Sequence, residues 1–447
     1  MLQSADVRDE APAGPRILPR PEHPISRKAI DPEALKVLYR LSSAGFTAYL
    51  VGGSVRDLML GRRPKDFDIV TDAKPQEVRR LFRNSRVIGR RFRLVHILFR
   101  DHVVEVSTFR REPDPAEQKS GDAGLLITSD NAFGTPQEDA WRRDFTVNAL
   151  FYDIADFSVI DWLGGVHDLR RRVLRAIGDP RVRFREDPVR MMRACELAGR
   201  LGFVIDEESQ AAIHELRGEM EKASPARLTE ELLALLRCGS SGASLQWMLD
   251  LGLLETLLPE AYAMVRASER GLGEFGRILP VLDRRVAAGH EVTDGGLVAA
   301  LLLPSVLLRR YDVEAVSQRA LRRTELLRLV DEVTAPFFDR FALSKERVRV
   351  ASEALVGFLR LCEPHASVAE RHKVASKGFF PEALFLFELL AEATGEGFEE
   401  LAQWQAAARR RPVLAGGVEI ARAERAAEGE PGSGKPRSRR RRRRRST

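Results

Sequence analysis

Cysteine is scarce in this 447-residue chain: its three residues, Cys195, Cys238 and Cys362, lie far apart. That spacing excludes a disulfide framework or a cysteine-based metal site and suits a reducing, intracellular compartment. Long apolar runs are missing too. The strongest, Leu297 to Leu308, contains Pro304 and is too short to span a bilayer, so no membrane contact is expected. The first residues lack the basic and apolar blocks of a signal peptide, and a cytoplasmic protein is expected. Acids are absent after Glu430, where Lys435, Arg437 and the run Arg439, Arg440, Arg441, Arg442, Arg443, Arg444 and Arg445 stand. Without those nine charges, 63 basic residues face 65 acids, so the net charge of +7 belongs to the tail. The remainder, in a chain 44% hydrophobic, can bury a large core in more than one domain.

One stretch concentrates the chemistry. Ala48 to Val51 reads as a buried strand ending at Gly52 and Gly53, whose missing Cβ atoms let backbone amides approach a phosphate. Val55 to Leu60 has helical character, which would aim a helix N-terminus and Arg56 at the same anion. Gly61 and Pro64 break that helix, and Asp66-Phe67-Asp68 runs into Ile69-Val70. Residues two apart on a strand share a face, so Asp66 and Asp68 present paired carboxylates while Phe67 faces the core. Such a pair repels itself unless a cation intervenes, and hard divalent ions favour oxygen ligands. A phosphate cradle beside that pair suits phosphoryl or nucleotidyl transfer. A polar turn with a capping aspartate is the plainer reading of either half alone.

Leu94 to Phe99 and Val103 to Thr108 read as a hairpin, with Glu105 and Ser107 on the face opposite Val104, Val106 and Thr108. From these residues alone Glu105 is equally a third carboxylate or an exposed edge residue. Arg111 to about Asp130 reads as a mobile loop. Arg142-Arg143-Asp144 and Asn148 suit phosphate and hydroxyl recognition, although a surface ion-pair cluster explains them as well. Glu186, Arg190 and Arg193 fall on one helical face, where a plain salt bridge is the alternative to reading a base edge. From Pro188 to about Gln405 the periodicity is helical; Met191 and Met192 read as core, and His167 as a surface residue.

The pattern Gly52-Gly53-Ser54-x-Arg56-Asp57, Leu60-Gly61, Asp66-x-Asp68-x-x-Thr71 resembles the opening motif of the class II tRNA nucleotidyltransferase and bacterial poly(A) polymerase family. The resemblance implies an α+β protein: a nucleotidyltransferase-type (polymerase beta-like) mixed-sheet head, an all-α neck and body, and a disordered basic tail. It implies catalytic carboxylates at Asp66, Asp68 and Glu105, with metal on Asp66 and Asp68, and triphosphate contacts from Gly52, Gly53, Ser54 and Arg56. Arg142, Arg143, Asp144 and Asn148 resemble the second motif, which meets the nucleotide's sugar and phosphates. Asp161 to Leu169 is similar to the third, a hinge. Glu186-Asp187-x-x-Arg190, with Arg193, resembles the motif in which side chains, not a template, select the base. Ser224-Pro-Ala-Arg227 through Glu230-Glu231 is similar to a neck element. Glu196-Leu197 departs from the family's Arg-Phe.

The implied reaction is template-independent addition of nucleotides to RNA 3′ ends, with Mg²⁺ or Mn²⁺ as cofactor and ATP as substrate. Gly89-Arg90-Arg91-Phe92 and the segment 124–134 resemble the polymerase branch, so adenylate addition to messenger or other transcripts is expected. CCA addition to tRNA is the alternative, and an inactive RNA-binding adaptor a second one. Arg90, Arg91 and the basic tail are expected on RNA, with RNA-decay proteins as further partners. The expected divisions are a disordered segment 1–27, a head 28–165, a neck 166–258, a body 259–412 and a disordered tail 413–447.

Overall fold

Short apolar runs bounded by glycine, proline and charge assemble into one sheet in a computed structural model that describes residues 14–89, 93–100, 102–111, 132–267, 269–363 and 367–409. Arg90, Arg91, Lys435, Arg437 and the arginine run lie outside those residues. The strands are β1 (Arg16–Leu18), β2 (Ala48–Val51), β3 (Asp68–Thr71), β4 (Ser85–Ile88), β5 (Leu94–Leu98), β6 (Val103–Thr108), β7 (Leu150–Asp153) and β8 (Val159–Asp161). Their order is β1-β8-β7-β2-β3-β6-β5-β4. Every neighbouring pair is antiparallel except β3 and β6, which run parallel with Ile69 opposite Val106.

Alternation along β3 sends Ile69 into the main core and Val70 into a smaller cluster with Val51, Phe109 and Phe151 on the other face. Helix α1 (Pro32–Ser43) starts where Asp31 accepts from the amides of Glu33 and Ala34 at 2.8 and 3.0 Å. It packs Val37, Leu38 and Leu41 into the core before β2. Helices α2 (Gly53–Met59), α3 (Pro75–Leu81), α4 (Pro136–Trp141) and α5 (Gly165–Arg171) complete this part.

Beyond it, helices α6 (Pro180–Glu186), α7 (Val189–Leu201), α8 (Glu207–Leu216) and α9 (Pro225–Arg237) lead into further helices ending at Phe398–Arg409. The helix Asp294–Ser317 is buried along its first half, from Gly295 to Leu307. Among the described residues no helix is long and apolar enough to cross a membrane.

Three expectations need correction. The chain from residue 14 to 27 is ordered: β1 pairs with β8, and His23 bonds the Phe157 carbonyl at 2.9 Å. A three-residue strand among prolines and charges has too little alternation to be seen in the sequence. The stretch after α5 is not wholly helical, because Val173–Leu174 (β9) pairs in parallel with Val204–Ile205 (β10). Finally, Asp66 precedes β3, and only Asp68 begins the strand.

Candidate active site

The β2–α2 turn sets the floor of a cleft of about 290 Å³. Gly52 takes φ 70°, in the region that disfavours side chains, and a Cβ there would lie 3.1 Å from Arg143 Nη1. A Cβ on Gly53 would lie 3.3 Å from Arg56 Nη2. The sheet side of the cleft is formed by Gly52, Gly53, Asp68, Arg143, Asp144 and Asn148; the helical side by Asp187, Arg190, Arg193 and Arg227.

Asp68 opens into this cleft and is solvent-exposed there, although the protein around it displaces much of the water that would solvate its charge. That loss of solvation, with repulsion from Glu105 and Asp66, pushes its carboxyl up to about 6, although Arg143 pulls the other way. Glu105 lies on the open face of β6 and meets His96 Nε2 at 3.0 Å across the β5–β6 ladder. Among the described residues no three or more His, Cys, Asp or Glu side chains are drawn into a metal-binding group. The donor set nevertheless fits a hard divalent cation: the carboxylate oxygens of Asp66 and Asp68 repel one another until positive charge joins them.

Two residues expected on the triphosphate are turned inward, which corrects their placement. Arg56 is only 3% exposed; its Nε donates to Asp57 Oδ1 at 2.8 Å and its Nη1 to Asn148 Oδ1 at 2.5 Å. The buried Ser54 hydroxyl donates to the Val51 carbonyl at 2.8 Å. Both brace the glycine turn from beneath. Arg143 stands over that turn. Its Nη2 donates to Asp139 at 2.9 Å, and its guanidinium lies 5.2 Å from the Phe151 ring centre.

Asp144 ties the two sides together. Burial would raise its carboxyl, but Arg193, bonded at 2.6 and 2.9 Å, and Asn148, at 3.0 Å, outweigh it and hold the group at about 2. Asn148 therefore bridges Arg56 to Asp144. Arg142 diverges from its neighbours: it lines an adjoining pocket instead of the cleft.

On the helical side, α6 ends at Glu186 and α7 restarts at Val189, leaving Asp187 at a break instead of within one helix. Both Asp187 oxygens accept from Arg227, at 2.6 and 2.8 Å. Arg190 lines the cleft while its guanidinium is buried, bonding the Arg183 carbonyl at 3.2 Å and Glu186 at 3.4 Å. Arg183, which sequence reasoning passed over, donates to the carbonyls of Arg142 and Arg143, each at 2.9 Å. Its position seven residues before Arg190 gave no signal, because the helix breaks between them. The departing Glu196 accepts from Arg200 at 2.6 Å, and Arg200 lies 3.8 Å from Asp57. The substituted acid thus sits in an ion network joining α7 to α2, and Leu197 is buried beside it.

A family model described as "Poly A polymerase head domain" matches residues 48–175, and one described as "Probable RNA and SrmB- binding site of polymerase A" matches 202–264. The chain is similar to poly(A) polymerase I of Salmonella typhi, 41% identical over 341 residues, covering 74% of this chain and 69% of that one. Poly(A) polymerase I of Haemophilus influenzae is 35% identical over 388 residues, covering 85% of each. Among solved structures, the Bacillus stearothermophilus CCA-adding enzyme in complex with CTP aligns at a TM-score of 0.62 and 26% identity, covering 85% of this chain and 82% of that one.

Proposed function

The chain belongs to the bacterial poly(A) polymerase family, and from that premise we propose how its cleft adds AMP residues from ATP to RNA 3′ ends without a template. One observation carries the reading: the glycine turn, Asp68 and Arg143 of the sheet side share a single cleft with Asp187, Arg190 and Arg227. Protein side chains thus stand where a template base would otherwise be needed.

In the reaction, the RNA 3′ oxygen forms a bond to the α-phosphorus of ATP while the bond to the bridging oxygen breaks and pyrophosphate leaves. The family uses a divalent metal; Mg²⁺ held by Asp66 and Asp68 would neutralise charge on the attacking and leaving oxygens. Glu105, exposed on β6 and paired with His96, is a further catalytic carboxylate whose charge acts on Asp68. Gly52 and Gly53 let the triphosphate lie against the backbone, and Arg143 offsets its charge. Asp144 and Asn148 present an acceptor and a donor for the ribose. Asp187 and Arg190 read the base: Arg227 fixes the carboxylate plane, leaving its other lone pairs for the adenine amino group.

We divide the chain into a catalytic head that takes in β1 and runs to residue 165, a neck, 166–258, and a body, 259–412, and place the enzyme in the cytoplasm with RNA-decay proteins as partners. The likeness to a CTP-bound CCA-adding enzyme supports a second reading, CCA addition to tRNA, since the two chemistries share these residues.

Asp68→Ala tests the assignment. It should abolish nucleotide transfer, by about three orders of magnitude or more, and leave RNA binding largely intact. Near-normal transfer would remove Asp68 from the site.

A further inference from the structure

Beneath the Asp144–Asn148 side of the cleft, a circuit of polar bonds leaves α7, crosses the head and returns to α7. Along α7, Arg193, Glu196 and Arg200 stand three and then four residues apart, on one face. Arg193 grips Asp144 at 2.6 and 2.9 Å, and Asn148 Nδ2 donates to Asp144 at 3.0 Å. Arg56 Nη1 donates to Asn148 Oδ1 at 2.5 Å, while its Nε donates to Asp57 Oδ1 at 2.8 Å. Arg200 Nη1 lies 3.8 Å from Asp57 Oδ2, and its Nε donates to Glu196 at 2.6 Å. Charge alternates along the circuit, with neutral Asn148 inserted between Arg56 and Asp144. Glu196 and Arg200 belong to it without lining the cleft.

Asn148 is where this circuit reaches the cleft. Its amide sits only one way round, because Arg56 offers nothing but donors and Asp144, buried yet kept ionised by Arg193, nothing but acceptors. The oxygen is committed to Arg56 and one hydrogen of Nδ2 to Asp144, which leaves the second hydrogen on a residue that lines the cleft. The arrangement holds only while Arg56 stays charged and in place. Burial works against that charge; Asp57 supports it, Arg200 opposes it and Glu196 supports it. Glu196 thus offsets the repulsion that Arg200 exerts on Arg56 while Arg200 keeps its hold on Asp57. We propose that Arg200 and Glu196 are positioning residues for ribose selection: through Asp57 and Arg56 they keep the Asn148 amide set to donate to the 2′ hydroxyl of the incoming nucleotide. The acid at 196, where the family has arginine, then has a task, since a second base there would meet Arg200 as a like charge. This assignment rests on the polymerase reading above, in which Asp144 and Asn148 meet the ribose.

The test uses the full chain with Mg²⁺ and a short unstructured oligoribonucleotide. Values of kcat/KM are measured for ATP and for 2′-deoxyATP in wild type, R200Q, R200K, E196Q, N148A and the double variant R200Q/N148A. R200Q should lower the preference for ATP over 2′-deoxyATP about tenfold. R200K should restore part of that preference, and E196Q should lose a smaller share of it. In the N148A background, where the preference is already reduced, R200Q should change the ratio no further, because both substitutions act through one amide. Equal losses for the two nucleotides in R200Q and E196Q would show no more than a staple between α7 and α2, and would overturn the proposal. Independent, additive effects of R200Q and N148A on the ratio would overturn it as well. A wild-type preference retained in N148A would sink the reading of Asn148 at the ribose, and this proposal with it. Failure of the wild type to extend any RNA with ATP would sink the polymerase reading itself, before any variant is compared.

Discussion

In the cation-free protein Asp68 holds a proton up to about pH 6, well above an unfolded aspartate, because loss of solvation and the neighbouring Glu105 and Asp66 disfavour its charge. The folded state therefore binds the proton more tightly, and stability contributed by the protonated form is lost as pH rises from about 4 through 6. Asp68→Asn should stabilise the cation-free protein at pH 8 by on the order of 1 kcal/mol after solvent screening, read as a higher thermal midpoint, with the gain vanishing near pH 4. A gain that persists at pH 4 would show that carboxylate repulsion is not its source. By the same linkage, divalent-ion affinity should weaken as pH falls below about 6, since the ion must displace that proton. Asp66 and Asp68 are near enough for the charge of one to act on the other, but the strand spacing that suggested a shared face does not apply, since Asp66 precedes β3. Arg56 and Ser54 were misplaced because adjacency to a glycine turn says nothing of burial. Arg56 faces Asn148, 92 residues away, and no local pattern reports such a partner.

Among elements, the break between α6 and α7 decides where the Asp187 carboxylate stands. It frees Asp187 from helical spacing and hands its carboxylate to Arg227 on α9. Arg227→Ala should let that carboxylate rotate, so discrimination for ATP over CTP should fall about tenfold, corresponding to about 1.4 kcal/mol, with a smaller loss of ATP turnover. Unchanged discrimination would show that Asp187 is oriented by other means. The alternating burial of β6 was readable in advance, since period two is strict in a half-buried strand. Strand β4 was hidden because Ser85–Ile88 runs straight into a basic segment, and β9 and β10 are too short to carry a period. The glutamate at 196 could be flagged from sequence as a departure, but its partner Arg200 and the link to Asp57 needed the packed helices.

Across the whole molecule, charge is divided between a nearly neutral sequence up to residue 434 and a basic terminal run. Removing residues 435–447 should weaken RNA binding and flatten its dependence on salt, leaving transfer at saturating RNA intact. An unchanged salt slope would remove the tail from the RNA. The helical region after residue 188 was plain from periodicity, while the sheet head before it was legible through the resemblance of its motif. The helical region beyond Pro259 offered only composition, because helices packed on helices bury residues at similar spacing whatever their purpose.

The central claim is tested most directly by a 3′-extension assay with purified protein and Mg²⁺, offering a generic RNA and a tRNA lacking its end, each with ATP alone or CTP alone. The account predicts long adenylate tracts on the generic RNA from ATP alone. Short additions confined to the tRNA and requiring CTP would contradict it.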